Sequence, residues 1–520
     1  MRPGVLFTWP MTRYAERTAV VFGKDRLTYA EMDAQINRLC HGFLSLGLKR
    51  GHKVAALLNN GIESAVSILG IPRAGLTYVT LNIRNSPREQ AEILNDSETD
   101  ALILGEEFID SMEPVLGSVP TLKHVIVVGP SLPGRLSYEK LVKGQPSTLP
   151  DADVDYGVDI ERIHYTAGTT GRPKGGVMTF GVFYNIITNI LINLDRPIGP
   201  DDIYLSVGPL THAAGLMMMV YYCRGAKCII LPRFDPELVI ETIDRERVTS
   251  VLFVPTMLAM ILRSSRIKDF DLSSIKRIWY GTAPMPVEWL KEGIKVFGQV
   301  FRQNYGMTEM AQPITFLGPE DHIIEGSPDQ LRRLSSAGRP ALGVELKILN
   351  ENGQPVKPGE IGEICIRSNK MIKEYWKKPQ DTAEAIVNGW LHTRDMGTID
   401  EEGYVYIIDR KSDMIISGGF NIYPREVEEV IMTHPAVSEV AVIAVPDDTW
   451  GEAVKAMVVL KPGARITEEE IINFCKENLA SYKKPKTVEF IKEIPKTAYN
   501  KVDRKSLKES FWKGYDRRVN

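Results

Sequence analysis

Apolar and polar positions alternate with two different textures along this chain. Over residues 28–46 the apolar side chains Met32, Ile36, Leu39 and Phe43 recur at helical spacing, which predicts an amphipathic helix. Thr28 and Glu31 make a capping box, Leu27 and Met32 a hydrophobic staple, and Gly47 stands just past the end. The apolar run 54–58 reads as a buried strand, and the alternation continues through 65–71, 78–81 and 101–104. Further strands are predicted at 228–231, 250–254, 277–280 and 300–303, each followed by a turn or helix start, with a helix over 182–194. Such βα alternation predicts an α/β fold with mainly parallel sheet.

The texture changes from Val344 onward. Residues 344–349 and 363–367 read as a hairpin-like unit, with Asn350-Glu351-Asn352-Gly353 as a turn, and 404–408 is another short strand. A smaller module then shows a helix from Arg425, strands over 439–445 and 455–460, and a helix capped by Thr467 and Glu470. A chain of 520 residues exceeds one core of about 250–300 residues. The charged turn 410–413 is the expected hinge, dividing residues 1–409 from 410–520.

Composition narrows the function classes. A hydrophobic share of 43% with 25% charged residues is that of an ordinary soluble globular protein, and a net charge of −3 argues against a nucleic-acid surface. Five scattered cysteines without a CxxC pair fit reduced thiols in a cytoplasmic protein better than a disulfide framework or a zinc site. Prolines and polar residues occupy 1–13, where a signal peptide would be apolar. The longest apolar stretch, 213–223, is too short for a bilayer, which takes roughly 20 residues. Peripheral membrane contact and the choice between monomer and homodimer stay open.

The chemistry centres on residues 165–176, YTAGTTGRPKGG, directly after the β-prone run 160–165. Glycines admit a ligand close to the backbone, successive N–H groups hold anions, and hydroxyls plus Lys174 suit phosphate. The run is not a Walker loop, because Pro173 precedes Lys174 and Gly175 follows it. A strand-to-helix turn that binds a nucleotide polyphosphate is expected.

The string closely resembles TSGTTG-x-PKG, the signature loop of the adenylate-forming superfamily, with Ala167 where serine is common. The resemblance implies that Thr166, Gly168, Thr169, Thr170, Gly171 and Lys174 hold the phosphates of ATP. Asn304, Tyr305, Gly306, Met307, Thr308 and Glu309 contain the family's YG-x-TE motif, which implies nucleotide contacts, Thr308 near the α-phosphate and Glu309 on Mg²⁺. Residues 281–284 resemble the GGAP turn, laying Ala283 and Pro284 on the adenine. Asp395 falls at the ribose-binding aspartate of W-x-x-TGD, with Arg394 replacing glycine, and Arg410 at the family's D/G-R. His212 follows Pro209-Leu210-Thr211, close to P-[LM]-F-H at the mouth of the acyl site. Lys501 matches the catalytic lysine of P-[RK]-T-x-x-GK, with Asn500 in place of glycine.

Residues 417–424 match the SGG-x-N-[IV]-x-P segment, which implies a passage for pantetheine beside Gly418 and Gly419. Trp450, Tyr482, Lys484 and Lys486 fall where a related aryl-CoA ligase surrounds the CoA nucleotide. The family fold implied is a large N-terminal domain of α/β subdomains with parallel sheets and a small β-barrel-like part, plus a small mobile α+β C-terminal domain. The activity implied is a Mg²⁺- and ATP-dependent acid:CoA ligase that forms acyl-AMP and then acyl-CoA, with Thr166, His212, Glu309 and Lys501 catalytic. Its acid is expected to be an apolar monocarboxylate, medium- or long-chain fatty, aromatic or alicyclic. The expected lining is Tyr184, Asn185, 213–219, 280–283 and 306–312. Transfer to a carrier protein or other acceptor, and luciferase-like oxygenation, are the alternatives.

Overall fold

The computed structural model describes residues 1–130, 133–166, 173–418, 420–447, 449–497 and 502–513, which form four sheets. In the seven-stranded sheet, Lys53–Leu57 pairs in parallel with Thr77–Thr80 and Ala101–Gly105, and Thr77–Thr80 with Ile160–Thr166. The nine-stranded sheet has a parallel centre that includes Ile203–Ser206, Ser250–Phe253, Arg277–Gly281 and Phe301–Tyr305.

Helices fill the space between these two sheets. The predicted first helix runs Tyr29–Ser45 with the Thr28/Glu31 capping box formed as expected. Its buried Met32, Ile36, Leu39 and Phe43 share one core with Val54 and Tyr78 of one sheet and Tyr204 and Trp279 of the other. Ile62–Arg73, Phe180–Ile192 and Ala213–Tyr222 complete that layer. Burial on every face explains why the strands read as continuous apolar runs rather than alternating ones.

Two features depart from the sequence reading. The signature loop bridges a hairpin instead of a strand and a helix: Lys174–Thr179 runs antiparallel to Ile160–Thr166, and only then does the helix start at Phe180. Cross-strand hydrogen bonds override the poor strand propensity of Gly175 and Gly176, and a Cβ on Gly175 would stand 2.6 Å from Ile163 Cγ2. The N-terminus, read only as lacking a signal peptide, forms the helix Val5–Arg13 and the strand Thr18–Phe22, which enters the nine-stranded sheet beside Lys227–Ile230.

A five-stranded antiparallel sheet follows, built on Glu345–Leu349, Gly362–Arg367, Trp390–Ile399 and Val405–Arg410. The last sheet, around Val437–Asp447 and Gly451–Leu460, has its own apolar core with the helices Pro424–Met432 and Glu468–Asn478.

Candidate active site

Parallel strands end together, and their carboxyl ends gather the motif residues. Gly281, the last residue of its strand, is in register with Asn304. A Cβ on Gly281 would lie 2.2 Å from the Asn304 carbonyl oxygen, so only glycine lets the turn leading to Ala283 and Pro284 press against the neighbouring strand. Gly306 is constrained in the same way by the backbone nitrogen of Gln312, at 2.6 Å. Asn304 is buried, and its side-chain oxygen has no hydrogen-bond partner among the described residues. A buried acceptor left without a donor suits the amino group of a purine.

Glu309 emerges from the loop after Tyr305, and its backbone oxygen accepts a 2.8 Å hydrogen bond from the N–H of Ile372. Its carboxylate Oε1 receives a 2.6 Å hydrogen bond from the Tyr375 hydroxyl. The same phenol ring lies 5.7 Å from Lys174 Nζ, which is ion-paired to Asp381. Thr308 stands close by, with its methyl 3.6 Å from where a Cβ on Gly176 would sit. The two motifs, well over a hundred residues apart, thus meet across Tyr375. Sequence reasoning missed Tyr375 and Asp381, because neither carries a periodic or spacing signal. Burial, then the charge of Glu309, raises the Tyr375 phenol and keeps it protonated as a donor.

Asp395 is buried and held from three sides. Tyr305 Oη donates to Oδ2 at 2.5 Å, Arg410 Nε lies 3.2 Å from Oδ1, and the backbone N–H donates to Thr393 Oγ1 at 3.1 Å. Arg394, where the family has glycine, takes a left-handed φ of 61°, so the turn survives the substitution. Its guanidinium turns away, 3.7 Å from Glu384, and leaves Asp395 to Arg410.

His212 caps the helix Ala213–Tyr222, with Nδ1 2.8 Å from Thr211 Oγ1 and its ring 5.9 Å from that of His164. Enclosure, then His212 and Arg162, pulls the His164 imidazole down to about 3. Beside His212, Ala213 and Leu216 are partly buried apolar groups, and Ala311 is likewise only partly buried. Other expected lining residues lie elsewhere. Met217 and Met218 are fully inside the inter-sheet core, while Met219, though buried, lines a small cavity with Tyr184 and Phe183. Tyr280 faces the opposite side of its sheet, hydrogen-bonded to His322 at 2.9 Å, because side chains alternate along a strand.

In the C-terminal part, Gly418 has φ 57°, and a Cβ there would lie 2.4 Å from Trp450 Cε3. The indole of Trp450 therefore packs directly against the backbone at Gly418. Trp450, Phe420 and Tyr482 are exposed aromatics, and the last two stack with centroids 4.7 Å apart. Lys484 is partly buried in the following turn, while Lys486 is ion-paired to Asp447. Gly168, Thr169, Thr170, Gly171, Gly419 and Lys501 lie outside the described residues, though Thr166 pairs with Lys174 and Lys496 with Val502 across the two gaps.

Comparison with known proteins identifies the family. The sequence model of the AMP-binding enzyme family matches residues 7–376, and that of the AMP-binding enzyme C-terminal domain matches 426–501. A feruloyl-CoA synthase of an Amycolatopsis species is 35% identical, covering 98% of this chain and 100% of its own. A medium/long-chain fatty acid–CoA ligase of Mycobacterium tuberculosis is 34% identical over 99% and 91% of the two chains. Among solved structures, an amide bond synthetase from Marinactinospora thermotolerans superposes with a TM-score of 0.88 at 29% identity, covering 98% and 100%. The chain belongs to the AMP-binding enzymes of the adenylate-forming superfamily, and within them to the AMP-forming acyl-CoA synthetases, which use ATP, coenzyme A and Mg²⁺. Among the described residues no helix is long and apolar enough to cross a membrane.

Proposed function

We propose that the protein activates an apolar monocarboxylic acid, either medium- to long-chain aliphatic or ring-bearing, as its acyl-AMP and passes the acyl group to the CoA thiol. The observation that carries the choice of acid is the pair Ala213 and Leu216, small or apolar and only partly buried beside His212, whose backbone oxygen accepts from the Leu216 N–H. Burial of each CH₂ contributes about 0.8 kcal/mol, so acetate gains little there, and a second carboxylate would enter without a counter-charge.

The roles follow from the donor set. Asn304 Oδ1 would accept from the adenine amine, Asp395 from the ribose hydroxyls, and Thr308 and Lys174 would donate to phosphate oxygens. A carboxylate next to a hydroxyl fits a hard cation, so Glu309 would hold Mg²⁺, which supplies charge neutralisation on the phosphates. The acid's oxygen attacks the α-phosphorus, the bond to pyrophosphate breaks, and Lys501 offsets the charge that develops. The CoA sulfur then attacks the acyl carbonyl and AMP leaves.

The smaller body, 410–520, would rotate against 1–409 about a hinge at 410–413, taking Lys501 away and bringing Gly418 and Gly419 to the site. Support comes from the backbone, which leaves one sheet at Arg410 and joins the next at Ile415. The compartment proposed is the cytoplasm, supported by five buried cysteines that form no disulfide.

The test compares kcat/KM for acetate, malonate, hexanoate, decanoate and benzoate at fixed ATP and CoA. A preference for acetate or malonate overturns the choice of acid. The amide synthetase likeness favours a second reading, in which an amine takes the acyl group. Acid-dependent pyrophosphate release that ignores CoA and rises with added amine would select it.

A further inference from the structure

Among the described residues, Glu363, Cys365 and His392 form a group whose ligand atoms all lie within 4.8 Å of one another. Glu363 and Cys365 are two residues apart on the strand Gly362–Arg367, so the pleat turns both to one face while Ile364 and Ile366 enter the core on the other. His392 stands opposite Cys365 on the strand Trp390–Ile399. Its Nδ1 is 3.4 Å from Cys365 Sγ and 3.4 Å from Glu363 Oε2. In a tetrahedral centre with Zn–S of about 2.3 Å and Zn–N and Zn–O of about 2.0–2.2 Å, adjacent ligand atoms stand about 3.3–3.6 Å apart. His392 already holds this spacing to each of the other two ligands, and the ligand atoms of Glu363 and Cys365 lie within 4.8 Å of one another.

We propose that Glu363, Cys365 and His392 bind one soft divalent cation of the Zn²⁺ class, at a site separate from Glu309. A thiolate and an imidazole select such an ion over Mg²⁺, which prefers an all-oxygen shell. The surroundings make the site sheltered and oriented. Cys365 is fully buried, and the side chains of Glu363 and His392 are 14% and 26% exposed. Glu363 Oε1 accepts a 3.0 Å hydrogen bond from the Arg394 N–H, which aims the carboxylate. Lys411 Nζ lies 3.9 Å from Oε2; this half-exposed ammonium competes for the carboxylate and swings into solvent when a cation enters. Burial, then Glu363, pushes the Cys365 thiol up to about 12, so the cation displaces that proton to solvent on binding.

Position gives the site a consequence. His392 lies three residues before Asp395 on one strand, and Glu363 and Lys411 line a groove of about 880 Å³ between the antiparallel sheet and the C-terminal part. A bound cation would cross-link the two central strands of that sheet and fix the strand that presents Asp395.

The test uses full-length protein stripped with a chelator and titrated with Co²⁺, then with Zn²⁺ against a chromophoric indicator. The expected result is one equivalent bound, with a near-ultraviolet thiolate-to-cobalt charge-transfer band. Cys365→Ser should abolish the band, and Cys365→Ser and His392→Gln should each weaken Zn²⁺ binding at least about tenfold. Cys475→Ser, which removes a buried thiol elsewhere, should leave band and affinity intact. Circular dichroism and the melting temperature verify folding, and His392→Gln serves as the decisive variant if Cys365→Ser fails to fold. No charge-transfer band, or Zn²⁺ affinity unchanged in folded His392→Gln, overturns the proposal.

Discussion

The Tyr375 hydroxyl donates to Glu309 Oε1 at 2.6 Å, while its ring faces Lys174 Nζ at 5.7 Å. One phenol therefore orients both the carboxylate proposed to hold Mg²⁺ and the lysine proposed to hold phosphate. Tyr375→Phe keeps the ring and removes the donor. Its half-saturating Mg²⁺ concentration should rise about tenfold, as when a group that orients a metal ligand is lost. Mg²⁺ titration of pyrophosphate release measures it, and an unchanged midpoint would mean that Glu309 needs no such support.

Lys501→Ala separates the two half-reactions. Charge that develops on the α-phosphate during adenylation loses its partner, so acyl-AMP formation should fall at least about 100-fold. Conversion of supplied acyl-AMP and CoA to thioester should change less than about threefold, because that step does not use the lysine. Equal losses in both assays would refute this division of labour.

Gly418→Val tests the C-terminal contact. The left-handed φ of 57° costs a side chain about 1–2 kcal/mol, and its Cβ would meet Trp450 Cε3 at 2.4 Å. Displacing the indole should suppress thioester formation while acid-dependent pyrophosphate release stays near wild type. Normal CoA turnover in this variant would place the thiol's route elsewhere.

His164 predicts a pH dependence. The folded imidazole titrates at about 3, below its ordinary value near 6.5. Between these values the unfolded chain binds a proton that the folded one does not, so this contribution is complete above about pH 6.5 and is lost as the pH falls toward 3. His164→Gln should show a smaller drop in melting temperature between pH 7 and pH 5 than wild type. Parallel drops would show that His164 is not the titrating group.

Local signals were legible in the sequence wherever one stretch of chain supplied all of the physics. The Thr28/Glu31 cap, the apolar spacing of Met32, Ile36, Leu39 and Phe43, and the buried strand around Val54 need no distant partner. The motif strings, through their resemblance, pointed to the family. Tertiary structure decided what depends on contacts across long separations. The hairpin at Lys174–Thr179 exists because Ile160–Thr166 supplies its hydrogen bonds, and Thr18–Phe22 becomes a strand because Lys227–Ile230 lies beside it. Whether Met217 or Tyr280 faces a pocket or a core depends on which layer packs against that face, and no local pattern encodes it. The pairing of Tyr375 with Glu309 comes from two loops that fold onto one another, and the gathering of Glu363, Cys365 and His392 from strand register; both bring together residues whose types had no meaning apart.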